Sequence, residues 1–228
     1  MKNMDGQMIR DYIPSFVRGR GRFTKSQRRA YQRLYDKYCI PFREEKIDIK
    51  KVMGFPEVIA EIGFGMGMVT AEIAERNPHM GYLGIEVYKP GVGKLLSEIA
   101  RRGLRNIKIV HEDAVKVIAF MIPSDSLKGV HIFFPDPWPK KRHHKRRLIK
   151  EGFASLLCSR LEPGGYVYIT TDWEDYARQI LLVLSKTDGL ENAYDGFAPP
   201  QDWRPTTRFE KKGYRESRRV FEILFKKI

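Results

Sequence analysis

Between about residue 56 and residue 186 the chain alternates short apolar runs with amphipathic segments, and this alternation restricts the possible folds more than any other feature. The runs at 58–62, 82–87, 107–111, 130–134 and 166–171 are strand-sized. The segments 68–76, 91–102, 114–121, 145–160 and 173–186 place their apolar residues at helical spacing. Five strand–helix units in succession imply an α/β domain with a parallel sheet covered by helices on both faces. A further run, 219–227, reads as a last strand with no helix after it, at or near a sheet edge.

Ahead of this unit, Thr24 is placed to cap a helix running to about Tyr38, with Tyr31, Leu34, Tyr35 and Tyr38 on one face and Pro41 beyond its end. Residues 1–23 read as irregular, because Arg18-Gly19-Arg20-Gly21-Arg22 is too rich in glycine for a stable element. The chain thus divides into a basic N-terminal arm and helix, 1–50, and a single α/β domain, 51–228. No stretch approaches the roughly 20 apolar residues of a spanning helix. The first residues lack the apolar centre of an export signal, so a cytoplasmic protein is expected. Cys39 and Cys158 are far apart and match no metal or disulfide spacing, which fits free thiols in a reducing compartment.

The 228 residues carry 42 Lys+Arg against 28 Asp+Glu, a formal charge of +14, and the excess is clustered. Residues 18–33 hold seven basic residues and no acid, 140–150 another seven and no acid, and 201–219 seven against three acids. The remainder is slightly acidic. Solubility does not call for such clustering, whereas a phosphate polymer rewards it through released counterions. An anionic membrane would want each basic face backed by a continuous apolar one, and none of the three segments has that.

In a parallel sheet, ligands bind beyond the carboxyl ends of the strands, so the residues after each apolar run matter most. The first run contains Glu61 and leads into Gly63-Phe64-Gly65-Met66-Gly67. Glycines allow a sharp turn and close approach to a ligand, though a plain tight turn needs them as well. Met68 stands where a dinucleotide fingerprint has its third glycine. The second run ends at Glu86, an acid about 20 residues past the glycines, where a carboxylate can grip two ribose hydroxyls. The third ends at Asp113, suited to an exocyclic amine or to capping the following helix. In register, the three features describe an adenosine pocket. Glu61 makes phosphate unwelcome there and a cation acceptable. S-adenosylmethionine combines a ribose, an adenine, a sulfonium and an ammonium with no phosphate, and so fits.

The fourth run leads into Phe134-Pro135-Asp136-Pro137-Trp138-Pro139-Lys140 and then Lys141-Arg142-His143-His144-Lys145-Arg146-Arg147. Three prolines fix φ and give a rigid loop that holds Asp136 at the pocket mouth. Trp138 offers a flat face for a base, and the cations after it suit phosphates. The plainer reading is a proline-kinked loop followed by a solvated basic helix start. Asp172, after the fifth run, is placed to cap the next helix. No metal site is indicated, since His143 and His144 are adjacent and no Cys or acid stands at ligand spacing. No nucleophile motif of the Gly-x-Ser-x-Gly kind occurs.

These stretches resemble the bacterial tRNA (guanine-N7-)-methyltransferases. The residues that carry the resemblance are Glu61 to Gly67, Gly84-Ile85-Glu86, the string from Phe133 to Arg147, Thr171-Asp172-Trp173 and Thr207-Arg208-Phe209-Glu210. The resemblance implies a Rossmann-like class I methyltransferase fold, α/β and mostly parallel, with an antiparallel last strand. It implies S-adenosylmethionine as cofactor, tRNA as partner, and N7 of a variable-loop guanine, conventionally position 46, as methyl acceptor. It implies further that Glu61, Gly63, Gly65, Gly67, Glu86, Asp113 and Asp136 form the cofactor site and that Asp136 is catalytic. Lys140, Asp172, Thr207, Arg208, Phe209 and Glu210 would contact the substrate, and Arg142, His143, His144, Lys145, Arg146 and Arg147 the RNA.

Other activities share part of this pattern. An NAD-dependent oxidoreductase shares the acid after the second strand but not the missing third glycine. An aminopropyl transferase shares the pocket, yet its polycationic substrate would be repelled by a +14 surface. A non-catalytic RNA-binding protein accounts for the cations but gives no reason for Glu86, Asp113 and Asp136 to be present together. No long exposed apolar face is evident, so a monomer without an obligatory protein partner is expected.

Overall fold

The computed structural model describes residues 13–16, 21–206, 210 and 219–228. Most of the glycine–arginine arm and the string 207–209 therefore lie outside the described residues. Helix α1 (Lys25–Tyr38) starts at a reciprocal cap: the Gln27 N–H donates to the Thr24 hydroxyl at 3.3 Å and the Thr24 N–H to Gln27 Oε1 at 2.9 Å. Two donors that a helix start leaves open are thereby satisfied. A short helix α2 (Ile49–Met53) follows, capped by Asp48 and stopped by Gly54 in the left-handed region.

Strands β1 (Val58–Ile62), β2 (Gly81–Ile85), β3 (Ile107–Val110), β4 (Leu127–Phe133) and β5 (Leu161–Thr171) are mutually parallel, and β7 (Phe221–Lys227) runs antiparallel to β5. With the short β6 (Leu190–Asn192), the order across the sheet is β3-β2-β1-β4-β5-β7-β6. Helices α3 (Met68–Arg76) and α4 (Lys89–Arg102) cover one face together with α1, which packs along α4. Helices α6 (Glu151–Arg160) and α7 (Glu174–Ser185) cover the other face. All five residues of β1 are buried: Val58, Ala60 and Ile62 belong to the α6–α7 core, and Ile59 to the α3–α4 core. Strands buried on both sides explain why the runs read as continuously apolar rather than alternating. Among the described residues no helix is long and apolar enough to cross a membrane.

Several elements differ from the sequence reading. The helix expected over 145–160 is split into a 3-10 turn at Lys141–Arg146 and α6, because Arg147 leaves helical geometry at ψ 136° and turns its side chain inward. The helix expected over 114–121 is one turn of α5 (Ala114–Lys116) followed by a π turn at Val117–Met121, all of whose side chains are buried. Strand β5 begins at Leu161, which pairs with Leu127 ahead of a register shift. A short β6 (Leu190–Asn192), unmarked by any strong pattern, pairs with β7, so the last strand lies one place in from the edge.

The chain runs from β1 outward to β3 on one side and from β4 outward on the other. The switch point therefore falls between β1 and β4, where the crevice of such sheets opens.

Candidate active site

A cleft of about 210 Å³ opens at that switch point, walled by the carboxyl ends of four strands. Ile62 and Gly63 come from β1, Glu86 and Val87 from β2, Glu112 and Asp113 from β3, and Phe133 to Asp136 from β4, with Ser15 and Phe16 at the rim. Sequence reasoning gave no site role to Ser15 or Phe16, which no local motif marks.

Of the glycine turn, Gly63 lines the cleft, while Gly65 and Gly67 lie beyond its lining. Gly63, Gly65 and Gly67 have φ of 73°, 57° and 67°, a region that side chains occupy only at a cost. At Gly63 and Gly65 a Cβ would meet nothing within 4 Å, so the bare backbone faces open space. The turn is locked by the Gly63 N–H donating to Ile85 O and the Gly65 N–H to Glu86 Oε2, both at 2.8 Å. Glu86 Oε1 accepts from the N–H groups of Val87 and Tyr88 at 2.7 and 2.8 Å. Burial pushes the Glu86 pKa up, the three backbone donors counter it, and the charge of Asp136 adds to the rise. Asp113 is buried, and its Oδ1 accepts from the Val115 N–H at 2.9 Å. It therefore caps α5 and lines the cleft at once, and burial raises its pKa too.

Glu61 sits behind this wall rather than in it. The side chain is buried and Oε2 has no hydrogen-bond partner among the described residues. Burial raises its pKa to about 8; the Thr70 hydroxyl offsets this only in part, and the Glu86 charge adds to it. An open acceptor beneath bare glycine backbone, in a cleft walled by Glu86, Glu112, Asp113 and Asp136, disfavours an anion. It fits a nucleoside carrying a cationic sulfonium and an ammonium. These residues fit S-adenosylmethionine on that ground.

Asp136 stands at the mouth. Its side chain reaches solvent, yet the surrounding wall desolvates the carboxyl enough to push its pKa up. The loop that carries it is fixed at both ends. Phe134 and Trp138 adopt φ of 51° and 45°, unusual conformations each costing about 1–3 kcal/mol and sustained only by the surrounding structure. The Phe134 N–H donates to Thr170 O at 2.8 Å, and Trp138 Nε1 donates to Ser15 O at 3.1 Å. The Trp138 ring lies 5.0 Å beneath the Arg146 guanidinium and meets His143 edge-on, so one of its faces is already engaged.

Arg147 requires a correction. It is not an outward cation: its side chain is only 1% exposed, and Nε donates to Pro137 O at 2.9 Å. Its other nitrogens hold Gln179 and Asp175, the latter at 2.5 Å, and the guanidinium lies 4.8 Å over the Tyr176 ring. The side chain ties the Asp136 loop to α7, and the Arg147 charge holds the Asp175 carboxyl below its ordinary pKa. Lys140, Lys141, Arg142 and Lys145 are exposed, and His143, His144 and Arg146 half-buried, on the 3-10 turn and its flank.

Glu210 departs likewise from the outward contact expected of it. It is buried, with its carboxylate bonded to Arg204 at 2.6 and 2.8 Å. Arg204 also reaches Glu222 at 2.8 Å and the Tyr168 hydroxyl at 3.2 Å. Thr207, Arg208 and Phe209 lie outside the described residues. Asp172 follows β5 and is half-buried; the cap position of α7 is Trp173, without a side-chain cap, so the capping reading of Asp172 does not hold.

Residues 56–223 match a family model described as "Putative methyltransferase". The tRNA (guanine-N(7)-)-methyltransferase of Nitrosospira multiformis is 48% identical over 217 residues, covering 94% of this chain and 94% of that one. That of Ralstonia pickettii is 50% identical over 217 residues, covering 94% and 84%. Among solved structures, the 16S rRNA methyltransferase KamB aligns with a TM-score of 0.59 at 14% identity, covering 78% of this chain and 92% of that one. The 16S rRNA (adenine(1408)-N(1))-methyltransferase from Catenulisporales acidiphilia aligns at 0.55 and 14%, covering 78% and 91%. At that identity the likeness is one of fold, the class I methyltransferase fold. A nucleoside cleft at a switch point is common to many enzymes, but near-half identity along almost the whole length is not: the chain belongs to the tRNA (guanine-N(7)-)-methyltransferase family.

Proposed function

We propose that the protein transfers a methyl group from S-adenosylmethionine to N7 of a guanine in tRNA, at variable-loop position 46, with Asp136 as the catalytic residue. The observation that carries this reading is the placement of Asp136 at the junction of an acid-walled cleft and an exposed basic turn. When bound, the cofactor supplies a methyl group made electrophilic by its sulfonium.

The residues then have limited work to do. Glu86 would hold the ribose hydroxyls and Asp113 the adenine amine, Glu61 would supply negative charge toward the ammonium from behind the wall, and the turn of Gly63, Gly65 and Gly67 would leave room for the cofactor. Guanine N7 presents an in-plane lone pair and no proton, so no strong general base is needed. The task is alignment of acceptor with donor, a proximity effect. The purine gains positive charge as the methyl arrives. A partly desolvated carboxylate at Asp136 stabilises that charge more in the transition state than in the ground state. Its raised pKa means the rate falls as pH drops through that value, because the neutral carboxyl no longer does this. Lys140, Asp172 and the string Thr207, Arg208 and Phe209 complete the acceptor site. Arg142, His143, His144, Lys145 and Arg146 meet the RNA. The protein works as a cytoplasmic monomer.

Two measurements test this. Mass-spectrometric nucleoside mapping of tRNA incubated with protein and donor should find 7-methylguanosine at one variable-loop site, and any other modified base overturns the reading. Asp136→Asn should bind S-adenosylhomocysteine within severalfold of wild type while kcat falls about 100-fold. An unchanged rate would remove Asp136 from the chemistry.

A further inference from the structure

The charge pattern of α1 sets it apart from its neighbours. On α3, α4 and α7 several cations are met by a carboxylate of their own helix: Arg76 by Glu72 at 2.5 Å, Lys94 by Glu98 at 2.7 Å and Arg178 by Glu174 at 2.6 Å, whereas exposed cations without such a partner among the described residues occur there and on α2 only singly, at Lys51 and Lys89. On α1, Lys25, Arg29, Arg33 and Lys37 succeed one another at four-residue steps, all exposed, and Asp36 is the helix's one acid. Among the described residues none of the four has a carboxylate within 4.0 Å. Like charges at this spacing destabilise a helix by a few tenths of a kcal/mol per pair. The reciprocal cap at Thr24 and the packing of Tyr31, Leu34 and Tyr35 against α4 hold α1 in spite of it.

Both ends of the stripe have a definite place. Midway along α1, on its packed face, the Tyr31 hydroxyl bonds His111 Nδ1 at 3.0 Å, and His111 Nε2 bonds Val87 O, in the cleft wall, at 3.2 Å. The amino-terminal half of α1, with Lys25 and Arg29, therefore lies toward the carboxyl end of β3, the side of the sheet on which the cleft opens. At the far end of the stripe Lys37, Tyr38, Arg105 and Lys108 line an open groove beside the edge strand β3. There the Lys37 and Lys108 ammoniums lie 5.2 and 5.8 Å from the Tyr38 ring, and Lys108 Nζ donates to Lys37 O at 2.9 Å. Lys25 and Lys37 are separated by about 18 Å along the axis.

We propose that α1 and this groove form a second binding surface, a track for the phosphate backbone of tRNA that leads from the methylation cleft past the β3 edge. The proposal rests on the reading of tRNA as substrate. Unpaired cations in a row are what a polyanion uses, because each neutralised phosphate releases condensed counterions. The track sets how firmly the whole tRNA is held, while the cleft sets which atom is methylated.

The test is the triple variant Arg29→Gln, Arg33→Gln, Lys37→Gln, in which glutamine keeps helix propensity close to that of the residues replaced. With full-length tRNA, the slope of log affinity against log salt should fall by about 3, one for each cation. KM should rise about tenfold, while kcat at saturating tRNA and the affinity for S-adenosylhomocysteine stay within twofold. A short stem-loop, too small to reach from cleft to groove, should bind both proteins alike. An unchanged slope and KM overturn the track, as does equal loss on the short stem-loop, which would mark damage to the cleft. Unchanged tRNA parameters with lost co-sedimentation on phosphatidylserine vesicles would reassign the stripe to a membrane surface. Wild-type protein that methylates no tRNA at all overturns the substrate reading and the track together.

Discussion

Glu61 is a single carboxyl whose surroundings make it a reporter. In the free protein its pKa of about 8 leaves it mostly protonated at neutral pH. An ammonium beside it favours the carboxylate and expels the proton. Binding of S-adenosylhomocysteine at pH 7 should therefore release a fraction of a proton, measured by calorimetry in buffers of different ionisation enthalpy. In Glu61→Gln the release should vanish and affinity fall about tenfold. The effect on folding has a definite sign. A carboxyl raised from 4.5 to about 8 opposes folding once it must ionise, so wild-type stability drops as pH rises through that window. Glu61→Gln should lack this drop in thermal melts between pH 4.5 and about pH 8. The acid next to the glycines was legible as a partner for a cation. That it lies behind the wall was not, because a strand residue's depth depends on the helix packed over it. Arg147 makes the same point among seven clustered cations: nothing in their spacing says which one turns inward to hold Pro137 and Asp175.

The glycine turn is an element whose sequence signal was half visible. Gly63, Gly65 and Gly67 announce a turn, but the turn is shaped by α4 pressing on it. A Cβ on Gly91 would sit 1.9 Å from Gly65 O, so only glycine there lets the start of α4 close against the loop. Gly91→Ala should displace the turn and break the bond from Gly65 to Glu86. Titration should show at least a tenfold loss of S-adenosylhomocysteine affinity, with a stability loss of about 1–3 kcal/mol by denaturant melting. The strand and helix runs from β1 to α4 were readable because both faces of the sheet are covered, which makes each strand apolar throughout. The split of the helix expected over 145–160 was not. Propensity favours a continuous helix there, and a long-range contact, Arg147 to α7, overrides it.

For the molecule as a whole, the antiparallel end of the sheet depends on a buried charge network, one of whose members, Tyr168, lies 6.1 Å from the cleft-lining Phe133. Arg204 joins Glu210, Glu222 and the Tyr168 hydroxyl, fastening the segment before β7 to β5. Removing one member of such a buried cluster leaves the others uncompensated. Arg204→Met should therefore cost about 3–5 kcal/mol in urea denaturation. The basic segment 201–219 looked like a polyanion surface from its charge alone, yet Arg204 and Glu210 in it are internal. Local chemistry was written in the chain: apolar runs buried on two faces, glycines where the backbone must turn, prolines bracketing Asp136, and cations gathered in segments. Each of these is a property of neighbours in sequence, so the α/β class, the cleft's strand ends and the clustering of cations follow from the chain by itself. Which cations face solvent, which acids line the cleft and what shapes the glycine turn are decided by contacts between residues tens to over a hundred positions apart. Those contacts exist only once the sheet has brought the elements together, because burial and pairing are properties of the assembled core and not of any one segment.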